Sequence, residues 1–377
     1  MSATIYLGLI SGTSRDGVEA VLATEEGPAG WRVIAHRRHP YPDAVAEQLA
    51  EVIISQRGHL QDLGQLDAQV GEVFADAALA LLRQSGTEPE AVRAIGSHGQ
   101  TIYHSPSTSP AFTWQIGDPF RIAERTGIDT VALFRQRDIA AAGEGAPLAC
   151  ALHAACFGHP DITRAVVNIG GISNLTWLRP GEPVLGYDCG PGNTLMDAWI
   201  RELRGLPYDA NGDWAAEGEV SSELLDNLRA DPFFALKPPK STGPELFSLA
   251  WLEDRLASTR DIGRDVDVQA TITEFTASVI ADAVLSARRP DEHCEVLVCG
   301  GGVRNRDLLR RLQARLGDLS LAETGKLGLP AEQVEAAAFA WLARQTILGL
   351  PGNVPEVTGA VGPRILGCVI PGTPSRA

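Results

Sequence analysis

Glycine-rich stretches with small polar residues occur three times in the sequence, each after a predicted strand. They are Ser11-Gly12-Thr13-Ser14-Arg15-Asp16-Gly17, Asn168-Ile169-Gly170-Gly171-Ile172-Ser173-Asn174 and Cys299-Gly300-Gly301-Gly302-Val303-Arg304-Asn305. Backbone N–H groups and hydroxyls in such turns can converge on a phosphate. The first stretch has no G-K-[ST] sequence and is followed by a strand, so it is not a Walker A loop. A polar hairpin turn without a ligand is the alternative interpretation for it.

The three stretches indicate different parts of one nucleotide site. The first two occupy equivalent hairpins of two predicted lobes, where they would face each other across a cleft. Asp16 in the first is a candidate Mg²⁺ ligand, directly or through water. The third stretch lacks G-x-G-x-x-G, which disfavours a Rossmann dinucleotide site. We expect it to cradle adenosine or the α-phosphate.

Asp188 is the candidate catalytic residue. It ends a predicted strand and is followed by the rigid turn Gly190-Pro191-Gly192. A carboxylate fixed at such a place can accept a proton from a hydroxyl or from water. The alternative is that Asp188 caps the helix predicted to begin near Thr194.

Polar side chains are also concentrated at three strand ends in the first half of the chain. We expect them to bind the hydroxyl and carboxylate groups of a polar ligand. A Ser97–His98 nucleophile pair is disfavoured, because adjacent residues of a strand point to opposite faces. The three strand-end segments are Ser97–Thr101, Trp114–Asp118 and Phe134–Asp138.

Residues 238–243, with Lys240, are either a surface turn or a wall of the substrate site.

The elements that must position these residues follow one pattern twice. Residues 4–38 read as strand, turn, strand, turn, strand, and residues 164–188 repeat that order. The repetition predicts two similar α/β lobes, residues 1–160 and 161–377, with a hinge near Pro160. Two unrelated α/β domains are the alternative. The Gly- and Pro-rich segment 351–372 is expected to wrap the surface.

Composition and charge exclude several classes of function. The 377 residues contain 32 Lys and Arg against 47 Asp and Glu, a net charge of −15. This balance argues against non-specific nucleic-acid binding, which needs a basic surface. The six cysteines form no C-x-x-C pair, so neither zinc nor disulfides are predicted. We find neither a signal peptide nor the ~20-residue apolar run of a membrane span, and we expect a cytoplasmic protein.

Several motifs, in order over nearly the whole chain, resemble the anhydro-N-acetylmuramic acid kinase family. Their combination is far more specific than any one of them. They are residues 9–18, Gly96–Thr101, residues 115–119, Val167–Asn174, Asp188–Trp199, Pro238–Gly243, Gly300–Asn305 and residues 352–360.

The resemblance implies a fold and a reaction. The fold would be α/β, with two similar lobes of the actin-like ATPase (ribonuclease H-like) type and an ATP cleft between them. The reaction would open the 1,6-anhydro ring of 1,6-anhydro-N-acetylmuramic acid with water and phosphorylate O6, using ATP and Mg²⁺. The products would be N-acetylmuramic acid 6-phosphate and ADP, in cell-wall recycling. The expected partner is this amino sugar, with no nucleic acid or membrane, and the expected assembly is a homodimer.

The resemblance also implies roles for individual residues. Asp188 would be the catalytic base and Asp16 the metal ligand. The ATP-binding set would be Gly12, Thr13, Ser14, Arg15, Asp16, Gly17, Val18, Glu19, Asn168, Gly170, Gly171, Asn174, Gly300, Gly301, Gly302 and Asn305. The substrate-binding set would be His98, Gln100, Gln115, Asp118, Arg135, Asp138 and Glu335.

The sequence departs from the family pattern at a few positions. Ile10 replaces the usual Met, and Glu19 replaces the usual Asp. Ala142 and Glu144 stand where Gly and Gln are common, and Val334 stands where a Lys is usual. None of them alters the glycines of the phosphate turns or Asp188, so they affect fine substrate contacts more than the reaction.

Two other functions remain as alternatives. One is an ordinary sugar kinase of the same fold, in which Asp188 deprotonates a hydroxyl directly. The other is a sugar-responsive regulator or chaperone-like ATPase module. No appended helix-turn-helix or peptide-binding domain is recognised, which weighs against this second alternative.

Overall fold

The computed structural model describes residues 3–12, 17–26, 30–238, 240–243 and 246–373. The strands predicted within residues 4–38 and 164–188 are present, and a further apolar run predicts a strand over residues 92–97 that extends as β4 to Ser105. The strands are β1 (Ile5–Ser11), β2 (Gly17–Glu26), β3 (Gly30–Pro40), β4 (Val92–Ser105), β5 (Phe112–Ile116), β6 (Thr130–Ala132), β7 (Thr163–Ile169), β8 (Ile172–Leu178), β9 (Leu185–Pro191), β10 (Cys294–Cys299), β11 (Ser320–Glu323) and β12 (Cys368–Ile370).

Apolar periodicity in the sequence predicts helices over residues 44–55, 60–82, 268–287, 304–316 and 331–345, and all five are present, together with shorter ones in the loops. They are α1 (Asp43–Ser55), α2 (Leu60–Ser85), α3 (Pro119–Thr126), α4 (Phe134–Ile139), α5 (Ala149–Phe157), α6 (Thr194–Arg204), α7 (Asp213–Ala216), α8 (Ser222–Arg229), α9 (Leu249–Ala257), α10 (Asp265–Ala287), α11 (Arg306–Leu316), α12 (Val334–Ile347) and α13 (Pro355–Thr358).

The chain forms two compact units, Met1–Cys156 with Gly328–Ala377, and Phe157–Leu327. The first boundary lies close to the expected one at residue 160. Residues 328–377 differ from the expectation, because they belong to the first unit and not to the second. The reason is that α12 packs directly on β1 and β4. Gly8 and Gly96 allow this close approach, since a Cβ on either would collide with a backbone carbonyl of α12.

The two units contain sheets with the same strand order. In the first unit the order is β12-β6-β4-β1-β2-β3, and β5 pairs with the far half of β4. In the second it is β11-β10-β7-β8-β9. In both, three successive strands form an antiparallel meander, and two later strands add in parallel beside its first strand. The predicted repetition of two similar α/β lobes is therefore confirmed.

The long helix α10 is the centre of the second unit's core. It is long and apolar enough to meet a length-and-composition criterion for a membrane span, but 72% of its most apolar window is buried inside the protein. Its side chains Ile272, Phe275 and Ile280 are fully buried with those of the sheet. The hydroxyls of Thr271 and Thr273 donate to backbone carbonyls one turn earlier. These features are those of a core helix.

The segment expected to wrap the surface enters the first unit instead. β12 adds to the sheet by pairing antiparallel with β6. Val357, Thr358 and Leu366 are each less than 3% exposed. Apolar side chains spaced among glycines and prolines were too few to produce a recognisable period, which is why the sequence did not predict this strand.

Candidate functional site

The turn after β7 and the turn after β9 are joined by hydrogen bonds. The N–H groups of Gly192 and Asn193 donate to the carbonyls of Gly171 and Gly170, both over 2.8 Å. The Thr194 hydroxyl donates to the Gly171 carbonyl over 2.7 Å. The predicted glycine turn and the end of the strand carrying the predicted base are therefore held together in the second unit.

Asp188 lies near the end of β9 and is 7% exposed. Its Oδ2 accepts a hydrogen bond of 2.9 Å from the Thr242 N–H, and its own N–H donates to the Lys240 carbonyl over 3.1 Å. The helix α6 has Asn193 as its N-cap residue. Asp188 does not cap α6, so the alternative interpretation of this residue fails. Residues 240–242 form a wall beside the carboxylate.

Lys240 is anchored by its side chain within this wall. Its Nζ donates to the Phe233 carbonyl over 3.3 Å and lies 4.5 Å from the centroid of the Phe233 ring. Burial lowers the pKa of the Lys240 ammonium, and the nearby Asp188 carboxylate acts in the opposite direction. A lysine placed this way fixes the wall and brings positive charge to the vicinity of Asp188.

Three polar residues form a row across the second sheet. Asn168 on β7 pairs with Asn174 on β8, and Asn174 pairs with Asp188 on β9. Directly opposed residues of neighbouring strands have Cβ atoms roughly 4.5–5.5 Å apart, on one face. The Oδ1 atom of Asn174 is buried and has no hydrogen-bond partner among the described residues. The row therefore presents an unused acceptor next to Asp188.

The third glycine stretch packs against the end of β7. Gly300 has φ +85°, and a Cβ there would lie 2.7 Å from the Ile169 carbonyl oxygen. A Cβ on Gly302 would collide with the Ile169 side chain. Gly301 has open space instead, with its nearest neighbour 3.9 Å away at Asn193 Nδ2. Gly300 and Gly302 are thus required by packing, and Gly301 is the position that a ligand can approach.

Asn305 has a structural task that its predicted role did not include. Its Oδ1 accepts a hydrogen bond of 2.9 Å from the Leu308 N–H and so caps α11. Its Nδ2 contacts the Met196 sulfur at 3.8 Å. The side chain is 8% exposed in total. Asn305 positions the helix that follows the glycine turn, and its amide is already used.

The first glycine stretch is only partly described. β1 ends at Ser11, Gly12 follows it, and the predictions for Thr13, Ser14, Arg15 and Asp16 lie outside the described residues. Gly17, Val18 and Glu19 begin β2, and the Val18 side chain is fully buried. Glu19 pairs with His36 over 2.5 Å and with Arg38 over 3.4 Å, both on β3. Val18 and Glu19 therefore stabilise the sheet beneath the turn.

A polar network in the first unit includes three predicted substrate residues. The Ser11 hydroxyl donates to Gln100 Oε1 over 2.5 Å. Arg135 Nε donates to His98 Nε2 over 2.9 Å, and His98 Nδ1 donates to the Gly99 carbonyl. Burial and the positive charge of Arg135 hold the pKa of His98 well below its usual range. His98 is therefore neutral and orients the guanidinium of Arg135.

Gln115 lies on β5, and Asp118 lies in the loop between β5 and α3. The two side chains form different hydrogen bonds. Gln115 Nε2 donates to the Thr113 and Thr101 hydroxyls over 2.7 and 3.1 Å, and its Oε1 accepts from Gln136. Asp118 caps α3 through the Phe120 N–H and pairs with Arg121. The carboxylate of Asp118 therefore stabilises the start of α3, and its contact with the substrate stays a prediction.

Asp138 is fully buried, and its carboxylate accepts hydrogen bonds from other parts of the first unit. Its Oδ1 accepts from Asn353 Nδ2 over 2.8 Å and from the Thr358 hydroxyl over 2.9 Å. Its Oδ2 accepts from the Gly145 N–H over 2.8 Å. With 0% exposure it joins α4 to residues 353–358, and its contact with the substrate stays a prediction. Two of these partners are more than 200 residues away in sequence, so no local pattern indicated them.

Three further residues bear on the predicted site. Glu335 lies in the first turn of α12 and is half-buried. Thr242 and Gln136 were not among the predicted site residues, although both contact one that was. The signal for Thr242 was the rigid proline-containing segment around Lys240. Gln136 lies within the Phe134–Asp138 segment but had no feature that distinguished it.

The donor atoms fit a bound nucleotide better than a protein-held metal. Among the described residues no group of three or more His, Cys, Asp or Glu side chains is placed to hold a metal, and the six cysteines, all of them described, form no disulfide. Mg²⁺ at phosphate-transfer sites needs one or two carboxylates, with phosphate oxygens and waters supplying the rest. The glycine turns and the open face at Gly301 suit the close approach of phosphates and ribose.

Fold and site together define the class of protein. Two units that each place two parallel strands beside an antiparallel meander, with glycine turns next to a buried carboxylate, are those of the actin-like ATPase (ribonuclease H-like) class. The family model described as "Anhydro-N-acetylmuramic acid kinase" matches residues 4–372. The chain belongs to this family.

Two relatives with 45–49% identity carry the same family name. The anhydro-N-acetylmuramic acid kinase of Xanthomonas campestris pv. campestris (strain 8004) is 49% identical over 376 residues, which cover 97% of each chain. That of Photobacterium profundum is 45% identical over 376 residues, covering 98% of this chain and 100% of the other. A more distant solved structure is component A of (R)-2-hydroxyglutaryl-CoA dehydratase from Acidaminococcus fermentans. It is 13% identical, covers 89% of this chain and 96% of its own, and has a TM-score of 0.47.

Proposed function

We propose that the protein opens the 1,6-anhydro ring of 1,6-anhydro-N-acetylmuramic acid with water and transfers the γ-phosphoryl group of ATP to O6. The products are N-acetylmuramic acid 6-phosphate and ADP, and the process is cell-wall recycling. The enzyme is a phosphotransferase with an alcohol group as acceptor. Family membership over residues 4–372 supports this reaction.

The observation that carries the proposal is the position of Asp188. Its carboxylate is buried at a strand end, fixed by the Thr242 N–H, and β9 is bonded through Gly192 to the Gly170-Gly171 turn. A base must lie within hydrogen-bond reach of its proton, and the phosphates must be held nearby. The strand end that carries Asp188 is hydrogen-bonded to the turn proposed to bind the phosphates, so these connected segments can supply both the base and the phosphate site.

The reaction forms two bonds between heavy atoms and breaks two. Asp188 takes a proton from water as the water oxygen bonds to C1, and the bond between C1 and O6 breaks. O6 then bonds to the γ-phosphorus, and the bond from that phosphorus to the bridging oxygen of ADP breaks. The proton on Asp188 passes to solvent after product release. Ring opening thus generates the acceptor oxygen for the phosphoryl group.

ATP is the phosphoryl donor, and the glycine turns are our proposed binding residues for it. In the second unit these are Gly170 and Gly171 for phosphates and Gly301 for the ribose or α-phosphate side. Gly12 and the residues after it in the first unit are proposed to contact the terminal phosphates. Asp16 is proposed to hold Mg²⁺, which when bound neutralises charge on the β- and γ-phosphates.

The sugar is proposed to contact the polar network of the first unit. Arg135, oriented by neutral His98, suits the carboxylate of the muramic acid. Gln100 and Gln115 suit its hydroxyl and acetamido groups, and Glu335 is proposed to contact it as well. A cytoplasmic homodimer is part of the same proposal, and light scattering on the purified protein tests the dimer.

The decisive experiment traces the origin of the oxygen at C1. Reaction in ¹⁸O-water is expected to place label at C1, with the bridging oxygen of the phosphate coming from the sugar's own O6. Samples must be read early, because anomeric exchange through the open-chain aldehyde also introduces label. Early product without ¹⁸O at C1 would overturn the coupled reaction and favour an ordinary sugar kinase.

A further inference from the structure

Two polar atoms beside Asp188 are buried without a partner among the described residues. One is Asn174 Oδ1, on the strand residue opposite Asp188, and the other is the Thr242 hydroxyl oxygen. Both residues are half-buried overall, but these two atoms are themselves shielded from solvent. A buried polar group without a hydrogen-bond partner destabilises the structure that contains it. Such atoms are usually satisfied by a ligand or by an ordered water.

The two atoms belong to residues fixed on different sides of the same carboxylate. Asn174 is held by the β8–β9 ladder, where it pairs with Asp188 next to a register shift between Ser173 and Asn174. Thr242 is held because its N–H donates to Asp188 Oδ2 over 2.9 Å. Asp188 supplies a proton acceptor, Asn174 a second acceptor, and Thr242 a hydroxyl that can donate.

We infer that Asn174 and Thr242 are positioning residues for the water that attacks C1. A water molecule in a protein interior makes about three hydrogen bonds. Here one water hydrogen goes to Asp188, the other to Asn174 Oδ1, and the Thr242 hydroxyl donates to one lone pair. The remaining lone pair is then directed at C1. This inference rests on the proposed function, since only a hydrolytic ring opening needs such a water.

The substitutions that test this leave the backbone contact to Asp188 in place. Thr242→Val keeps the size, the β-branch and the N–H but removes the hydroxyl, while Thr242→Ser retains the hydroxyl. Asn174→Leu removes the amide at similar volume. We expect kcat to fall about 10- to 100-fold in Thr242→Val and Asn174→Leu, with the sugar KM within about threefold, since the interaction is made only as water attacks. Thr242→Ser should keep kcat within about threefold of the parent.

The alternative outcomes are distinct. A raised sugar KM with unchanged kcat would make these residues sugar contacts and overturn the inference. Unchanged kinetics in Thr242→Val would also overturn it. Equal loss of activity in Thr242→Val and Thr242→Ser, with lower thermal stability or nucleotide affinity, would assign Thr242 a structural role only. Absence of early ¹⁸O label in the parent enzyme would instead reject the proposed function, independently of these variants.

Discussion

Thr242 and Asp188 are 54 residues apart in sequence, yet the Thr242 N–H donates directly to the Asp188 carboxylate. The donor is a backbone group, so it fixes the carboxylate whatever side chain position 242 carries. It also binds Oδ2 specifically, which sets the direction in which the other oxygen of the carboxylate faces. The backbone conformation at residue 242 therefore sets the orientation of the Asp188 carboxylate.

Replacing Asp188 by Asn should abolish turnover while leaving the site assembled. The Asn side chain can still accept the Thr242 N–H, but it cannot take a proton from water. We expect product formation to fall about 10²- to 10⁴-fold. Calorimetric titration with an ATP analogue should give an affinity near that of the parent. Turnover close to the parent's would place the base elsewhere.

Gly301→Val should weaken nucleotide binding without unfolding the second unit. The position has open space around it, so the added side chain meets the ligand and not the protein. We expect the affinity for ATP to fall at least about tenfold, with sugar affinity and thermal stability nearly unchanged. Gly302→Val is the matched control, because its side chain would collide with Ile169 and lower stability. Equal losses for both ligands in Gly301→Val would refute the assignment.

Asp138→Ala should lower stability and not substrate affinity. The substitution leaves the donors of Gly145, Asn353 and Thr358 without their shared acceptor. We expect the free energy of unfolding to fall by about 3 kcal/mol or more. Asp118→Ala, which removes a helix cap, should cost about 1 kcal/mol. Chemical denaturation measures both. An Asp138 variant of normal stability with a raised sugar KM would restore the role originally predicted for this residue.

Ala142→Gly should stabilise the protein. Ala142 has φ +64°, a left-handed conformation that costs an L-residue about 1–2 kcal/mol and glycine little. Part of this gain is offset by the larger backbone entropy of glycine in the unfolded chain. We expect a net gain of about 0.5–1 kcal/mol in the free energy of unfolding. Ala140→Gly is the control, since Ala140 is right-handed helical and should lose stability.

The buried histidine of α5 should make the protein sensitive to acid. Burial lowers the pKa of His153 to about 3. The unfolded state, with a pKa near 6.5, therefore binds more protons between these values, so stability is complete above pH 6.5 and falls as the pH drops. From pH 7.5 to pH 5 this group alone should remove about 2 kcal/mol.

The measurement compares denaturation curves at the two pH values. His153→Leu should lose about 2 kcal/mol less than the parent over that interval, even if its stability at pH 7.5 is lower. An identical loss in parent and variant would show that His153 is protonated in the folded protein at pH 5.

The sequence predicts the features that depend on neighbouring residues, and it does not predict contacts between residues that are far apart in the chain. The repeated meander and the turn glycines are local features, and the structure confirms the strands on which they lie. Asp188 was singled out because Gly190-Pro191-Gly192 follows it closely in sequence, and its catalytic role is a proposal. The sequence did not indicate the structural contacts of Asp138 and Asp118, because a polar residue near a predicted strand end looks the same whether it binds a ligand or another part of the chain. Only the fold supplies Asn353 and Thr358 as partners of Asp138.

The C-terminal segment shows the same limit for secondary structure. β12 has three residues and pairs only with β6 among the described strands, so it carries too few residues for an alternating pattern. Its existence depends on an open edge of a sheet formed more than 200 residues earlier. Family resemblance found the neighbouring motif at residues 352–360 but predicted no strand in the residues after it.

The second unit lies, along the sequence, between the two segments of the first unit, and this order affects how the protein folds during synthesis. Residues 157–327 are synthesised as a continuous block, and all described strands of their sheet have been made once Glu323 is reached. The first unit starts earlier but lacks α12 and β12 until the final segment is translated. On the ribosome, the second unit can therefore fold before the first, whose β1 and β4 must wait with an uncovered apolar face. A stalled chain ending near residue 330 would expose that face to chaperones and proteases.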